Sequence, residues 1–142
     1  MNASIVTSII SAVLSSFAFC FSIYVFIDSK RAKRLDALFQ YRSSVNTAYQ
    51  AILEKEQDLN ILASSELGTG AEAQYNAALS AYLSLLDDAC AMYLMGKLDK
   101  ERFKQTFNKE ISDAIEMEKY RAVLGESRRY RKLRRYYDDV IS

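Results

Sequence analysis

The chain contains no proline, no tryptophan and no histidine, and only four glycines and two cysteines among 142 residues. Proline is the strongest helix breaker, and glycine, the next, is confined to positions 68, 70, 96 and 125. A chain of this kind, rich in Ala, Leu, Lys, Glu and Arg, favours helix nearly everywhere, so an all-α fold is expected. Without histidine or a cysteine pair, a zinc site lacks its usual ligands, and no cofactor is expected. Cys20 and Cys90 fall in regions too different to meet within one chain and read as small apolar residues rather than a disulfide. Charge is also missing where it matters most: the 23 residues from Ile5 to Ile27 carry none.

That uncharged stretch is the dominant feature. As a helix it would extend roughly 35 Å, enough to cross a hydrocarbon core of about 30 Å. Lys30, Arg31, Lys33 and Arg34 follow it at once, and no basic residue precedes it. A cleaved signal peptide would reverse that charge order and end in small residues. A lipoprotein signal wants a small residue where Phe19 precedes Cys20. We therefore expect a retained anchor over residues 1–29, with the N-terminus outside and residues 30–142 in the cytoplasm.

Within the span, Ser4, Ser8, Ser11, Ser15, Ala18 and Ser22 recur at steps of four and three, a period of 3.5. Ala12 and Ser16 widen this face, while Val13, Phe17 and Tyr24 lie largely elsewhere. Small residues let helix backbones approach closely, and a 3.5 period matches a left-handed bundle of several copies. The stripe is the expected interface of a homo-oligomer. The same face could instead line a lumen, or be tolerated in a lone anchor.

The remaining residues read as three long helices and a short one. Leu35, Leu38, Val45, Tyr49, Ile52 and Leu59 form a near-heptad stripe, broadened by Phe39, Leu53 and Leu62 and interrupted by Arg42 and Glu56. Residues 64–70 read as a turn. A strongly apolar helix follows over 71–95, with Tyr82, Leu83, Leu86, Cys90 and Tyr93 toward the core and Gly96 as its stop. Asp99 is placed to cap a third helix carrying Phe103, Phe107, Ile111, Ala114 and Ile115. Gly125 separates it from a basic helix over 127–141, docked by Leu133, Tyr137, Val140 and Ile141.

Charge is segregated along this domain. Residues 35–98 hold three basic and eight acidic side chains, whereas 119–142 hold eight basic and three acidic. The basic excess centres on Arg128, Arg129, Arg131, Lys132, Arg134 and Arg135, with Tyr120, Tyr130, Tyr136 and Tyr137 nearby. Three partners fit this patch: the acidic helices of the same or a neighbouring subunit, anionic membrane lipids, or nucleic acid through phosphate contacts and base stacking. A cytosolic protein could be recruited by the same helix. Asp87 and Asp88, like Asp138 and Asp139, are adjacent and diverge by about 100° on a helix, so neither forms a carboxylate pair. No phosphate loop or nucleophile elbow is present, and no enzymatic activity is expected.

The segment YLSLLDDACAMYLMGKLDKERFKQTF, Tyr82 to Phe107, together with one span, a basic junction and a long helix, resembles small bacterial single-span membrane proteins of unknown function. The outline is also similar to the membrane accessory proteins of Cas13b-containing CRISPR systems. That resemblance implies an oligomeric pore with nuclease-related helical domains and a role in antiphage defence. The Arg-to-His nuclease motif of that superfamily has no counterpart in a chain without histidine.

Overall fold

The computed structural model describes the backbone of residues 3–62, 68–125 and 129–142, and the side chains of 11–61, 70–125 and 129–142. The architecture is all-α, with no strand among the described residues. Helix α1 (Ala3–Leu62) runs 60 residues without interruption, about 90 Å of rod, so the apolar segment and the first helix of the domain are one element. Helix α2 (Gly68–Leu94) packs back along it, and α3 (Lys100–Glu116), α4 (Glu118–Gly125) and α5 (Arg131–Tyr136) complete the bundle. After α5 the chain closes with a wider π-type turn over Tyr137–Ile141.

Neighbouring side chains set the direction of α2. Tyr49 packs on Tyr82 at 5.9 Å, Asp88 faces Tyr41, and Glu56 faces Tyr75. Numbers rise along α1 as they fall along α2, so the helices are antiparallel and the end of α2 returns toward the apolar segment. Leu38, Val45 and Ile52 of α1, spaced at seven, are buried against Leu79, Leu83, Leu86 and Cys90 of α2. Helix α2 touches α1, α3, α4 and α5, and so forms the centre of the domain.

Two expected helix signals are present in full. Gly96 adopts φ +67°, its N–H bonds the Tyr93 carbonyl at 2.9 Å, and the Lys97 N–H reaches Met92 at 3.0 Å. This double closure needs a left-handed residue at the helix end, which glycine supplies without strain. Asp99 caps α3 by accepting from the Arg102 N–H at 3.0 Å. Phe103, Phe107, Ile111 and Ala114 then face the core, where Phe103 meets Tyr93 at 5.0 Å and Tyr136 at 5.2 Å.

Other expectations change. Phe39 and Leu53 do not broaden the core stripe but stand 62% and 41% exposed, because α2 covers only the Leu38–Val45–Ile52 line. Leu62's side chain lies outside the described residues. Helix α2 begins at Gly68, so the last three positions of the expected turn are helical, and Ala63–Leu67 lie outside the described residues. Met117, at ψ 133°, breaks the third helix and creates α4. The basic helix begins at Arg131 rather than 127.

Gly96 tests this account of the α2 terminus. A Cβ there would meet nothing within 4 Å, so only the backbone opposes a side chain. Gly96→Ala should cost about 1–2 kcal/mol, read as a lowered chemical-denaturation midpoint with an unchanged slope.

Candidate functional site

Among the described residues, the N-terminal half of α1 is the most exposed apolar surface. Every large apolar side chain from Val13 to Ile27 is 44–71% exposed. An 18-residue window there has mean hydropathy 1.7 with none of it buried, so one helix is long and apolar enough to cross a membrane. The stripe residues Ser11, Ser15, Ala18 and Ser22 are all exposed in the single chain, while the side chains of Ser4 and Ser8 lie outside the described residues. The Ser16 hydroxyl donates to the Ala12 carbonyl at 2.9 Å, the back-bonding by which serine satisfies itself in an apolar helix. Lys30, Arg31, Lys33 and Arg34 are exposed on the same rod, with the Lys30 ammonium 4.3 Å from the Phe26 ring. That contact folds a long cationic side chain back over the end of the apolar run.

Arg42, which interrupts the core stripe, is accounted for within the chain. Its guanidinium bonds the Glu110 carboxylate and the Thr106 carbonyl and lies 5.8 Å from the Phe107 ring, tying α1 to α3.

The C-terminal basic patch is only partly brought together. Arg128 lies outside the described residues. Arg129, Arg131, Lys132 and Arg135 are exposed, whereas Arg134 turns inward to the Leu124 carbonyl and Arg135 pairs with Asp139 at 3.3 Å. Among the described residues no ion pair joins this patch to the acidic residues of α1 or α2. Asp87 instead accepts from the backbone N–H groups of Lys132 at 2.9 Å and Leu133 at 2.8 Å, capping α5, while its neighbour Asp88 faces Tyr41.

The tyrosines among these charges serve the fold. Tyr120, Tyr130 and Tyr136 are at most 2% exposed, and the Tyr136 hydroxyl donates to Asn108 at 2.6 Å. Burial lifts the Tyr136 phenol above its ordinary pKa, as it does the Cys90 thiol. These rings have no free face for a base, which removes the stacking half of a nucleic-acid reading. Tyr137, nearer the surface, donates to Glu116 at 2.8 Å, and with the Ser112 hydroxyl holds that carboxyl below its usual range.

A feature the sequence did not signal is a cleft of about 290 Å³ bounded by α1, α2, α3 and α4, with Tyr49, Tyr82 and Tyr120 grouped in its wall. Tyr82 stacks on Tyr120 at 5.8 Å. The three rings come from three helices and share no spacing, so no local pattern announces them.

The Asp87 contacts make a local prediction. Asp87→Ala should destabilise the domain by about 1–2 kcal/mol and speed amide exchange over 131–136 while leaving the Leu38–Ile52 stretch protected. Equal acceleration everywhere would mean that Asp87 does not act through α5. Compared with known proteins, the chain matches no family model, no curated protein and no solved structure.

Proposed function

We propose that this chain is a membrane-anchored helical protein that self-assembles along α1 and works through that assembly rather than by catalysis. The observation that carries this reading is the continuity of α1. The small-residue stripe of the apolar segment recurs every seven residues as Ser11, Ala18, Val25 and Ala32, and in the same register as Phe39, Asn46, Leu53 and Asn60. All eight positions are exposed in the single chain. Phe39 and Leu53, large apolar residues left in water, stand on the same line as the stripe.

Energetics favour a bilayer for the first half of the rod. Thirteen Ile, Val, Leu or Phe residues lie between Ile5 and Ile27. At about 0.3–0.6 kcal/mol each, insertion gains roughly 4–8 kcal/mol, with no charge to oppose it. The basic cluster behind the span supports an N-out orientation, with the helical domain on the cytoplasmic side. Holding a seven-residue repeat in contact over this length requires left-handed supercoiling, because a straight helix drifts about 20° per heptad. In a narrow bundle the Ser face packs helix to helix; in a wider ring it lines a lumen, the arrangement of a membrane-perturbing antiphage effector.

A second reading, a tether that recruits a cytosolic partner, is favoured by Arg129, Arg131 and Lys132. These are exposed and without ion-pair partners among the described residues. Lipid is a weaker candidate for that patch. Through Asp87 it sits level with Tyr41, about 21 Å along the rod from Ile27, more than two Debye lengths at physiological salt. Lys30 to Arg34 lie within reach of headgroups instead.

Ser11, Ser15 and Ser22 replaced together by Leu should still insert but lose the oligomer seen by cross-linking in detergent. An unchanged oligomer would remove the stripe from the account. Dye release from liposomes by the unaltered protein separates a lumen from a packed seam.

A further inference from the structure

The tyrosine cleft shares one residue, Asn46, with the proposed assembly line, and its hydrogen bonding is incomplete. Tyr82 and Tyr120 are 3% and 2% exposed, yet among the described residues neither hydroxyl has a hydrogen-bond partner. No described side-chain oxygen is sealed away unpartnered, so both hydroxyls keep some accessible surface, and both residues line the cleft. Burial is the main reason that the Tyr120 phenol is pushed up to about 12 and the Tyr82 phenol higher than its ordinary value. Both therefore remain protonated, as donors, at neutral pH.

The charges at the rim point the same way. Arg42 is engaged by Glu110 and the Thr106 carbonyl. Lys109 and Lys119 also line the cleft and have no ion-pair partner among the described residues, against one such carboxylate, Asp113. The Lys119 ammonium stands 5.2 Å from the Tyr120 ring and 6.0 Å from Tyr49. A cationic ligand would have to displace Lys119 from the ring faces that would attract it. Counting Arg42 and Glu110 as well, three cations line the cleft against two carboxylates, a small excess of positive charge.

Size and lining narrow the class. About 290 Å³ lies at the small end of ligand sites, too small for a polymer or a folded lipid. Tyr49 and Met117, 39% and 43% exposed, offer apolar surface beside the donors.

We propose that this cleft binds a small organic anion, a phosphate or carboxylate carried on a flat apolar body. The oxyanion accepts from Tyr82 and Tyr120 and lies between Lys109 and Lys119, while the ring lies against Tyr49 and Met117. Binding does not depend on the membrane reading. One wall of the cleft, Arg42 and Tyr49, nevertheless belongs to α1, so an occupant presses on the helix that carries the apolar segment.

The test is calorimetric titration of the full chain in detergent micelles with adenosine 5′-monophosphate, phenyl phosphate, benzoate, inorganic phosphate and benzylamine. At least one ring-bearing anion should bind saturably and at least tenfold more tightly than inorganic phosphate, and benzylamine should not bind. Which of phenyl phosphate and benzoate is preferred tells phosphate from carboxylate. Tyr82→Phe, which keeps the ring, and Lys119→Gln should each weaken binding about tenfold or more, whereas Lys104→Gln on the outer face of α3 should not. Binding of benzylamine alone, no binding of any anion, or affinity indifferent to Tyr82→Phe and Lys119→Gln would overturn the proposal.

Discussion

A helix satisfies its own backbone hydrogen bonds wherever it lies, and this permits α1 to be one element for 60 residues. No loop separates the apolar half from the domain, so a rotation or tilt of one half is transmitted to the other. The rest of the chain is arranged around the half that α2 covers. Leu38, Val45 and Ile52 supply a single buried line, and α2 turns that line into a core by presenting Leu79, Leu83, Leu86 and Cys90 to it.

From α2 outward, order is kept by a few specific contacts rather than by chain length. The Gly96 terminus and Asp99 cap bring α3 up beside Arg42, whose bonds to Glu110 and Thr106 fasten it to α1. The C-terminal segment returns across the bundle and is held by buried Tyr130, Leu133 and Tyr136 and by Asp87 at the start of α5. Tyr130 and Tyr136 each carry a hydroxyl that finds a partner on burial, in the Ser80 carbonyl and the Asn108 side chain, so these aromatic residues specify position as well as supply apolar area.

Much of this was legible in the sequence because it rests on local rules. The absence of proline, the Gly96 stop, the Asp99 cap and the apolar period of α3 each act within a few residues, and each appears in the structure. The misses involve distance. Phe39 and Leu53 looked like core because periodicity cannot say how wide a strip the neighbouring helix covers. Tyr120, Tyr130 and Tyr136 looked like part of a binding patch because basic neighbours dominate their local composition, while the cavities they fill are formed by residues 28 to 50 positions away. The α3–α4 break at Met117 carries no glycine or proline to announce it. Of the candidate surfaces, the apolar span and its basic flank were visible as a run, whereas the tyrosine cleft exists only once four helices meet.

The proposed assembly gives α1 two partners: α2 along the Leu38–Ile52 line, and other copies along the line from Ser11 to Asn60. These lines are about 100° apart on the helix, so one does not obstruct the other. The most direct measurement of this claim is the mass of the particle formed by the full chain in nanodiscs, read at single-particle dilution. The account predicts one closed multimer of fixed subunit number that persists on dilution. A monomer at every protein-to-lipid ratio would contradict it.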